Sequence, residues 1–131
     1  MLQSVAVKDY MSAHLVTVTP DMDVLRAIHT LVENRISGAP VIDDHGNLVG
    51  IISERDCLKV ALHAGYHSEY GGKVSEYMTR EVKTVDADTS IVDLARMFLH
   101  NAPRRYPVMD GNRLVGQISR RDVLRALEAL W

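Results

Sequence analysis

Two nine-residue stretches decide how this chain is read: Leu48-Val49-Gly50-Ile51-Ile52-Ser53-Glu54-Arg55-Asp56 and Leu114-Val115-Gly116-Gln117-Ile118-Ser119-Arg120-Arg121-Asp122. They share Leu-Val-Gly-x-Ile-Ser-x-Arg-Asp. Each passes from an apolar run into a polar helix start. A Ser with an acidic residue three places later is the signature of a capping box. Finding it twice in one short chain points to a repeat, and repeats are sought before anything else.

Working outward, the correspondence holds. Upstream, Val7, Tyr10-Met11, Thr17-Val18, Asp21, Asn34, Pro40-Val41 and Asp43 fall on Val74, Tyr77-Met78, Thr84-Val85, Asp88, Asn101, Pro107-Val108 and Asp110. The second copy then drops one residue in a turn, and Leu58 falls on Leu124. Each copy reads alike. The apolar runs Leu15 to Val18 and Val82 to Val85 suggest strands. Apolar residues at helical spacing follow: Val24, Ala27, Ile28, Leu31 and Val32, then Ile91, Leu94, Ala95, Phe98 and Leu99. Asp23 and Ser90 are the expected N-caps. Ala39 to Ile42 and Tyr106 to Met109 read as strands. Turns lead from them to strands Leu48 to Ile52 and Leu114 to Ile118. Closing helices run from Glu54 to about Ala64 and from Arg120 to about Leu130. The reading is α+β: two β-α-β-β-α repeats, 7–64 and 74–131, joined by a connection at 65–73. Half the chain, about 65 residues, would be marginal alone. The repeats are therefore expected to pack as one pseudo-twofold module over 1–131.

Composition narrows the function. The 131 residues are 47% apolar, which is globular. Fifteen basic against seventeen acidic residues leave a formal net charge of −2, with no field to attract nucleic acid. Aromatics, at 5%, are too few for base-stacking platforms. The single cysteine, Cys57, forms no internal disulfide; beside Val123 in the alignment, it reads as a small core residue. His63 and His67 are four apart, but Gly65 intervenes and no third ligand is near, so no metal site is expected. No apolar stretch approaches the roughly 18 residues of a spanning helix. The opening MLQSVAVKDYM lacks the pattern of a secretion signal. A cytoplasmic protein without a membrane segment is expected. Nucleophile elbows, phosphate loops and dinucleotide fingerprints are absent, so no enzyme is expected.

Three marks recur in order, twice: Val-x-x-Tyr-Met-Ser/Thr at Val7 to Ser12 and Val74 to Thr79, Pro-Val-x-Asp at Pro40 to Asp43 and Pro107 to Asp110, and the closing Leu-Val-Gly-x-x-Ser-x-x-Asp. Together they resemble the CBS-pair, or Bateman, family from about Val5 to Leu130. The resemblance implies a regulatory module that binds AMP, ADP or ATP between its repeats, forms a homodimer and acts on a separate, unidentified protein. It implies no cofactor beyond that ligand. The alternative is a structural homodimerisation module with vestigial clefts.

The Ser-x-x-Asp motif has two readings. As a capping box it only starts a helix. As a binding site, the helix start holds phosphate and the carboxylate suits ribose hydroxyls. Gly50 and Gly116 would admit a ligand close to the backbone, and Arg55 and Arg121 would add phosphate donors. By family pattern the cleft of Ser119, Arg121 and Asp122 takes a wall near Asp9, His14, Ile36 and Ser37. The cleft of Ser53, Arg55 and Asp56 uses Glu76, Glu81, Pro103 and Arg104. Relatives place a phosphate-contacting Arg two residues before the repeated Pro; Arg105 holds that place and Gly38 does not. The Asp122 cleft is therefore favoured for a charged ligand. The expected nucleotide-binding set is Ser119, Arg121, Asp122, Arg105, Ser37, Ile36, His14, Ser53, Arg55, Asp56 and Arg104. The surplus apolar faces of the closing helices, with Trp131, fit the dimer contact.

Overall fold

A computed structural model describes residues 2–67, 71–101 and 103–130. Trp131 lies outside them. The chain divides into two compact units. One, the Ser53 unit, spans Val16–Val82; the other, the Ser119 unit, combines the N-terminal residues through Leu15 with the chain from Lys83 onward.

In the Ser53 unit, helix α1 (Val24–Asn34) leads to β1 (Gly38–Ile42), β2 (Leu48–Ser53), helix α2 (Glu54–His67) and the short helix α3 (Val74–Tyr77). Asp23 starts α1 as expected, its Oδ1 accepting from the Leu25 amide at 2.9 Å. Strands β1 and β2 pair antiparallel. Asp43 shapes their turn: its Oδ1 accepts from the amides of His45 and Asn47 at 2.9 and 2.8 Å. The Asn47 backbone bond holds the Asp43 carboxyl below the usual carboxylate range. The core gathers Val18, Val24, Val41, Ile52, Val60 and Val74.

In the Ser119 unit, β3 (Val85–Asp86), helix α4 (Ile91–His100), β4 (Arg105–Asp110), β5 (Arg113–Ser119) and helix α5 (Arg120–Glu128) repeat the plan. The sheet order is β3-β4-β5, parallel then antiparallel. Ser90 caps α4, its Oγ accepting from the Asp93 amide at 3.1 Å. Tyr106, Ile91, Leu94 and Ile118 form the centre of the core and are almost wholly buried.

The opening strands are shorter than expected. Of Leu15 to Val18 only Val18 pairs, bridging Val41; in the second copy only Val85–Asp86 pair, with Val108 and Met109. Among the described residues nothing hydrogen-bonds the earlier residues of either run into a ladder, and apolarity alone does not make a strand. Helix α2 runs three residues past its expected end, to His67, so the first part of the connection is helical.

The compact units do not coincide with the sequence repeats, because the opening phrases change places. Residues of the first phrase pack in the Ser119 unit: the Ser12 amide donates to the Gln117 carbonyl and the Gln117 amide returns a bond to Ser12, both at 2.9 Å. Thr79 of the second phrase does the same with Ile51 at 2.8 and 2.9 Å in the Ser53 unit. Each phrase thus pairs with backbone groups on the open side of a β-hairpin, covering an edge that would otherwise stay unpaired within the sheet.

The glycines of the repeated motif make that approach possible. A Cβ on Gly116 would lie 2.7 Å from both the Met11 Sδ and the Ser12 carbonyl oxygen; on Gly50 it would meet Met78 Sδ at 2.8 Å and Thr79 oxygen at 2.9 Å. The chain itself fills the space expected to admit a ligand. Gly116→Ala is expected to cost about 1–3 kcal/mol through overpacking, read as a lower urea midpoint with an unchanged slope.

Candidate functional site

The Ser-x-x-Asp motif sits at the strand-to-helix junction of each unit. In the Ser119 unit, Asp122 Oδ2 accepts from the Ser119 amide at 2.9 Å and from Ser119 Oγ at 3.1 Å. Ser119 Oγ in turn accepts from the Asp122 amide at 3.4 Å. In the Ser53 unit the corresponding distances are 3.0, 3.0 and 3.1 Å. The reciprocal geometry of a capping box is present in both.

What reaches the second carboxylate oxygen differs. Asp56 is 5% exposed. Thr79 Oγ1 donates to its carboxylate at 3.3 Å, and Lys59 lies 3.5 Å from Oδ1. Asp122 is more open, its side chain 17% exposed, and among the described residues its Oδ1 meets only Arg125, at 3.0 Å. Arg125 is itself exposed and lies 5.8 Å from the Tyr10 ring centre. An exposed ion pair of this kind contributes little, so Oδ1 of Asp122 can exchange partners at small cost. Asp56 itself is buried, so leaving its carboxylate without the Thr79 contact is more costly. Neither Thr79 nor Arg125 was among the residues the sequence pointed to. Arg125 carries a local signal, three residues beyond the Asp on one helix face; Thr79 lies 23 residues from its partner and carries none.

The other expected residues are distributed as follows. His14, Arg104, Arg105 and Arg121 belong to the Ser119 unit and all are exposed. Arg105 stands opposite Ser119 in the β4–β5 register, and the Arg104 carbonyl accepts from the Arg120 amide at 3.3 Å. Arg104, Arg105 and Arg121 are thereby gathered around the start of α5. Ile36, Ser37 and Arg55 belong to the Ser53 unit with Ser53 and Asp56. The Ser37 carbonyl accepts from the Glu54 amide at 2.8 Å. Ile36 and Ser37 line a largely apolar cavity of about 470 Å³, together with Ile28, Leu31, Glu54 and Cys57.

Two carboxylates expected on base-facing walls are used locally instead. Asp9 Oδ2 accepts from the Ala6 amide and Glu76 Oε2 from the Lys73 amide, both at 2.9 Å. Each closes the first turn of the opening phrase, where free amides need an acceptor. Glu81 is exposed. Cys57 is half-buried rather than fully buried, and burial, with the neighbouring Asp56 and Glu54 carboxylates, pushes its thiol up. That environment suppresses the thiolate and suits a packing role. His63 Nδ1 lies 3.1 Å from the Tyr77 hydroxyl; the side chain of His67 falls outside the described residues. Among the described residues no three His, Cys, Asp or Glu side chains are grouped to hold a metal ion, and no helix is long and apolar enough to cross a membrane.

The CBS domain family model matches this chain twice, over residues 7–63 and 74–129. The chain belongs to the CBS-domain family. The two matches bracket both capping motifs and both opening phrases. Among curated relatives, protein MJ1225 of Methanocaldococcus jannaschii is 30% identical over 125 residues, which is 95% of this chain and 44% of that protein. The chain spans 44%, 65% and 21% of the lengths of the first curated relatives it matches. Among solved structures, CBSX2 in complex with AMP is 35% identical with a TM-score of 0.83, covering 96% of this chain and 98% of that one. The CBS domain pair of protein MJ0100, in complex with 5′-methylthioadenosine and S-adenosyl-L-methionine, is 28% identical with a TM-score of 0.77, covering 97% and 98%. This chain is thus a CBS pair of α+β fold, similar to proteins crystallised with adenosine compounds.

Proposed function

We propose that this CBS pair is a ligand-responsive regulatory module that binds an adenine nucleotide (AMP, ADP or ATP) and performs no catalysis itself. The observation that carries the reading is the Ser119–Asp122 cap, with an exchangeable carboxylate oxygen beside exposed arginines. Asp122 accepts from ribose hydroxyls; Arg105 and Arg121, both exposed, serve the phosphate as planar multi-donor cations. Ser119, Arg104 and His14 complete that side. Ile36 and Ser37 line the apolar cavity of the Ser53 unit, and Ser53, Arg55 and Asp56 form a weaker second site. The AMP complex of CBSX2 and the methylthioadenosine and S-adenosylmethionine complex of MJ0100 support adenosine as the common element. Binding shifts the balance of conformations, and a separate regulated protein reads the shift.

A thermal-shift panel with AMP, ADP, ATP, NAD and S-adenosylmethionine tests the proposal. A ligand at one hundred times its dissociation constant is expected to add about 2.7 kcal/mol. No shift with any of the five at millimolar concentration overturns it.

A second reading, a homodimerisation module with vestigial clefts, rests on one specific observation. Leu58 and Leu62 on α2 and Leu124 on α5 are 68%, 72% and 62% exposed. Apolar faces of this kind commonly mark association surfaces. A dimer by sedimentation that is indifferent to every nucleotide favours this reading over the first.

A further inference from the structure

The Ser119 unit carries an unneutralised arginine cluster that its counterpart lacks. Seven arginines belong to this unit. Arg96, Arg113 and Arg125 each pair with a carboxylate, Asp93, Asp110 and Asp122. The other four, Arg104, Arg105, Arg120 and Arg121, are exposed, and none makes an ion pair among the described residues. These four are also the ones the backbone gathers. Arg105 faces Ser119 across the β4–β5 ladder, Arg120 and Arg121 follow Ser119 directly, and the Arg120 amide donates to the Arg104 carbonyl.

The Ser53 unit has the same scaffold with different side chains. Gly38 faces Ser53, and the Glu54 amide donates to the Ser37 carbonyl. The positions of the four arginines are held there by Ser37, Gly38, Glu54 and Arg55, so the local charge falls from four cations to a neutral pair. The wider charge follows suit: nine basic against seven acidic residues in the Ser119 unit, six against ten in the Ser53 unit. Both units possess the helix start, and the carboxylates beside it differ in exposure and partner; the largest difference in charge between the two is the arginines.

We infer that the arginine cluster makes the Ser119 unit selective for nucleoside di- and triphosphates over monophosphates, with Arg104 and Arg120 serving the added phosphates. This rests on the nucleotide reading above. A phosphomonoester carries about −1.5 to −2 charge at neutral pH. Arg105 and Arg121 match that charge, which leaves two like-charged guanidiniums without a counterion. Each further phosphate adds negative charge and acceptor oxygens suited to the guanidinium fork. The selectivity is therefore electrostatic and declines as salt shortens the screening length.

Isothermal titration of the whole chain with AMP, ATP and sodium tripolyphosphate tests this, in parallel for wild type, Arg120→Glu and Arg104→Ser. The substitutions import the residues that the Ser53 unit uses. A Glu in the first turn of α5 is favourable to the helix, so the variant folds. Wild type is expected to bind ATP about tenfold or more tighter than AMP, since charge-assisted bonds exceed the energy of a factor of ten. Arg120→Glu lowers the ATP-to-AMP affinity ratio toward unity, and Arg104→Ser lowers it partway. Equal affinities for AMP and ATP in wild type, or a ratio untouched by Arg120→Glu, overturn the inference and leave nucleotide binding standing. Tripolyphosphate binding as tightly as ATP while AMP does not bind overturns the nucleotide reading and, with it, selectivity among nucleotides.

Discussion

Asp122→Ala is expected to abolish most of the nucleotide-dependent rise in Tm, while Asp56→Ala retains it. At a saturating ligand concentration of one hundred times Kd the wild-type gain is about 2.7 kcal/mol. At about 4 °C per kcal/mol for a chain of this size, that is roughly 10 °C. The obvious confusion is structural, since both residues complete a capping box, and losing a cap costs about 1 kcal/mol. The two sites separate the effects. Asp56 is the more buried and also accepts from Thr79, so its removal empties a packed position and breaks one more tertiary hydrogen bond, which lowers the ligand-free Tm more. Asp122 has the more accessible carboxylate, with an exposed Arg125 as its partner. Loss of intrinsic stability should thus rank Asp56 above Asp122, and loss of the ligand shift should rank them the other way. A purely structural role for both residues gives the same order in both measurements, and that result removes the nucleotide assignment.

Tyr106→Ala is expected to be the most destabilising single change in the Ser119 unit. The side chain is fully buried, its ring centre 5.0 Å from that of Phe98, and its hydroxyl donates to the Met97 carbonyl at 3.4 Å. Truncating a buried aromatic residue to Ala costs about 3–5 kcal/mol, a large share of the 5–15 kcal/mol that typically separates folded from unfolded protein. Tyr106→Phe keeps the ring and loses only the long hydroxyl bond, for about 0.5–1.5 kcal/mol. Urea unfolding of the pair checks both. A Tyr106→Ala loss no greater than that of Tyr106→Phe would mean that the cavity collapses and that the ring is not the keystone of this core.

The elements that were legible share one property: their signal is local. The α1 stripe Val24, Ala27, Leu31 is buried as its spacing implies, and Asp23 and Ser90 cap the helices they precede. The Ser-x-x-Asp capping box formed in both copies because every group it needs lies within four residues. The opening strands failed for the converse reason. Leu15 to Val18 is apolar enough for a strand, but a strand exists only where a partner offers its backbone, and only Val18 finds one. The carboxylates of Asp9 and Glu76 were expected at a distant wall, yet an amide three residues away was the nearer partner.

By itself the sequence determined the repeat, the α+β class, the helix starts and the arginine asymmetry between copies, since each depends on residue identity and short-range spacing. Only the tertiary structure decided which opening phrase completes which hairpin. It places Ser12 on Gln117 and Thr79 on Ile51, so that each copy's first residues close the other copy's sheet. Near-identical phrases at Val7 to Ser12 and Val74 to Thr79 fit either partner by local chemistry alone. Choosing between them takes backbone hydrogen bonds formed across long stretches of chain, with Gly50 and Gly116 bare enough to let the crossing segments in. The same choice settled the fate of the two motif carboxylates. The second copy's phrase brings Thr79 onto Asp56, while Asp122 keeps an oxygen whose exposed partner can leave.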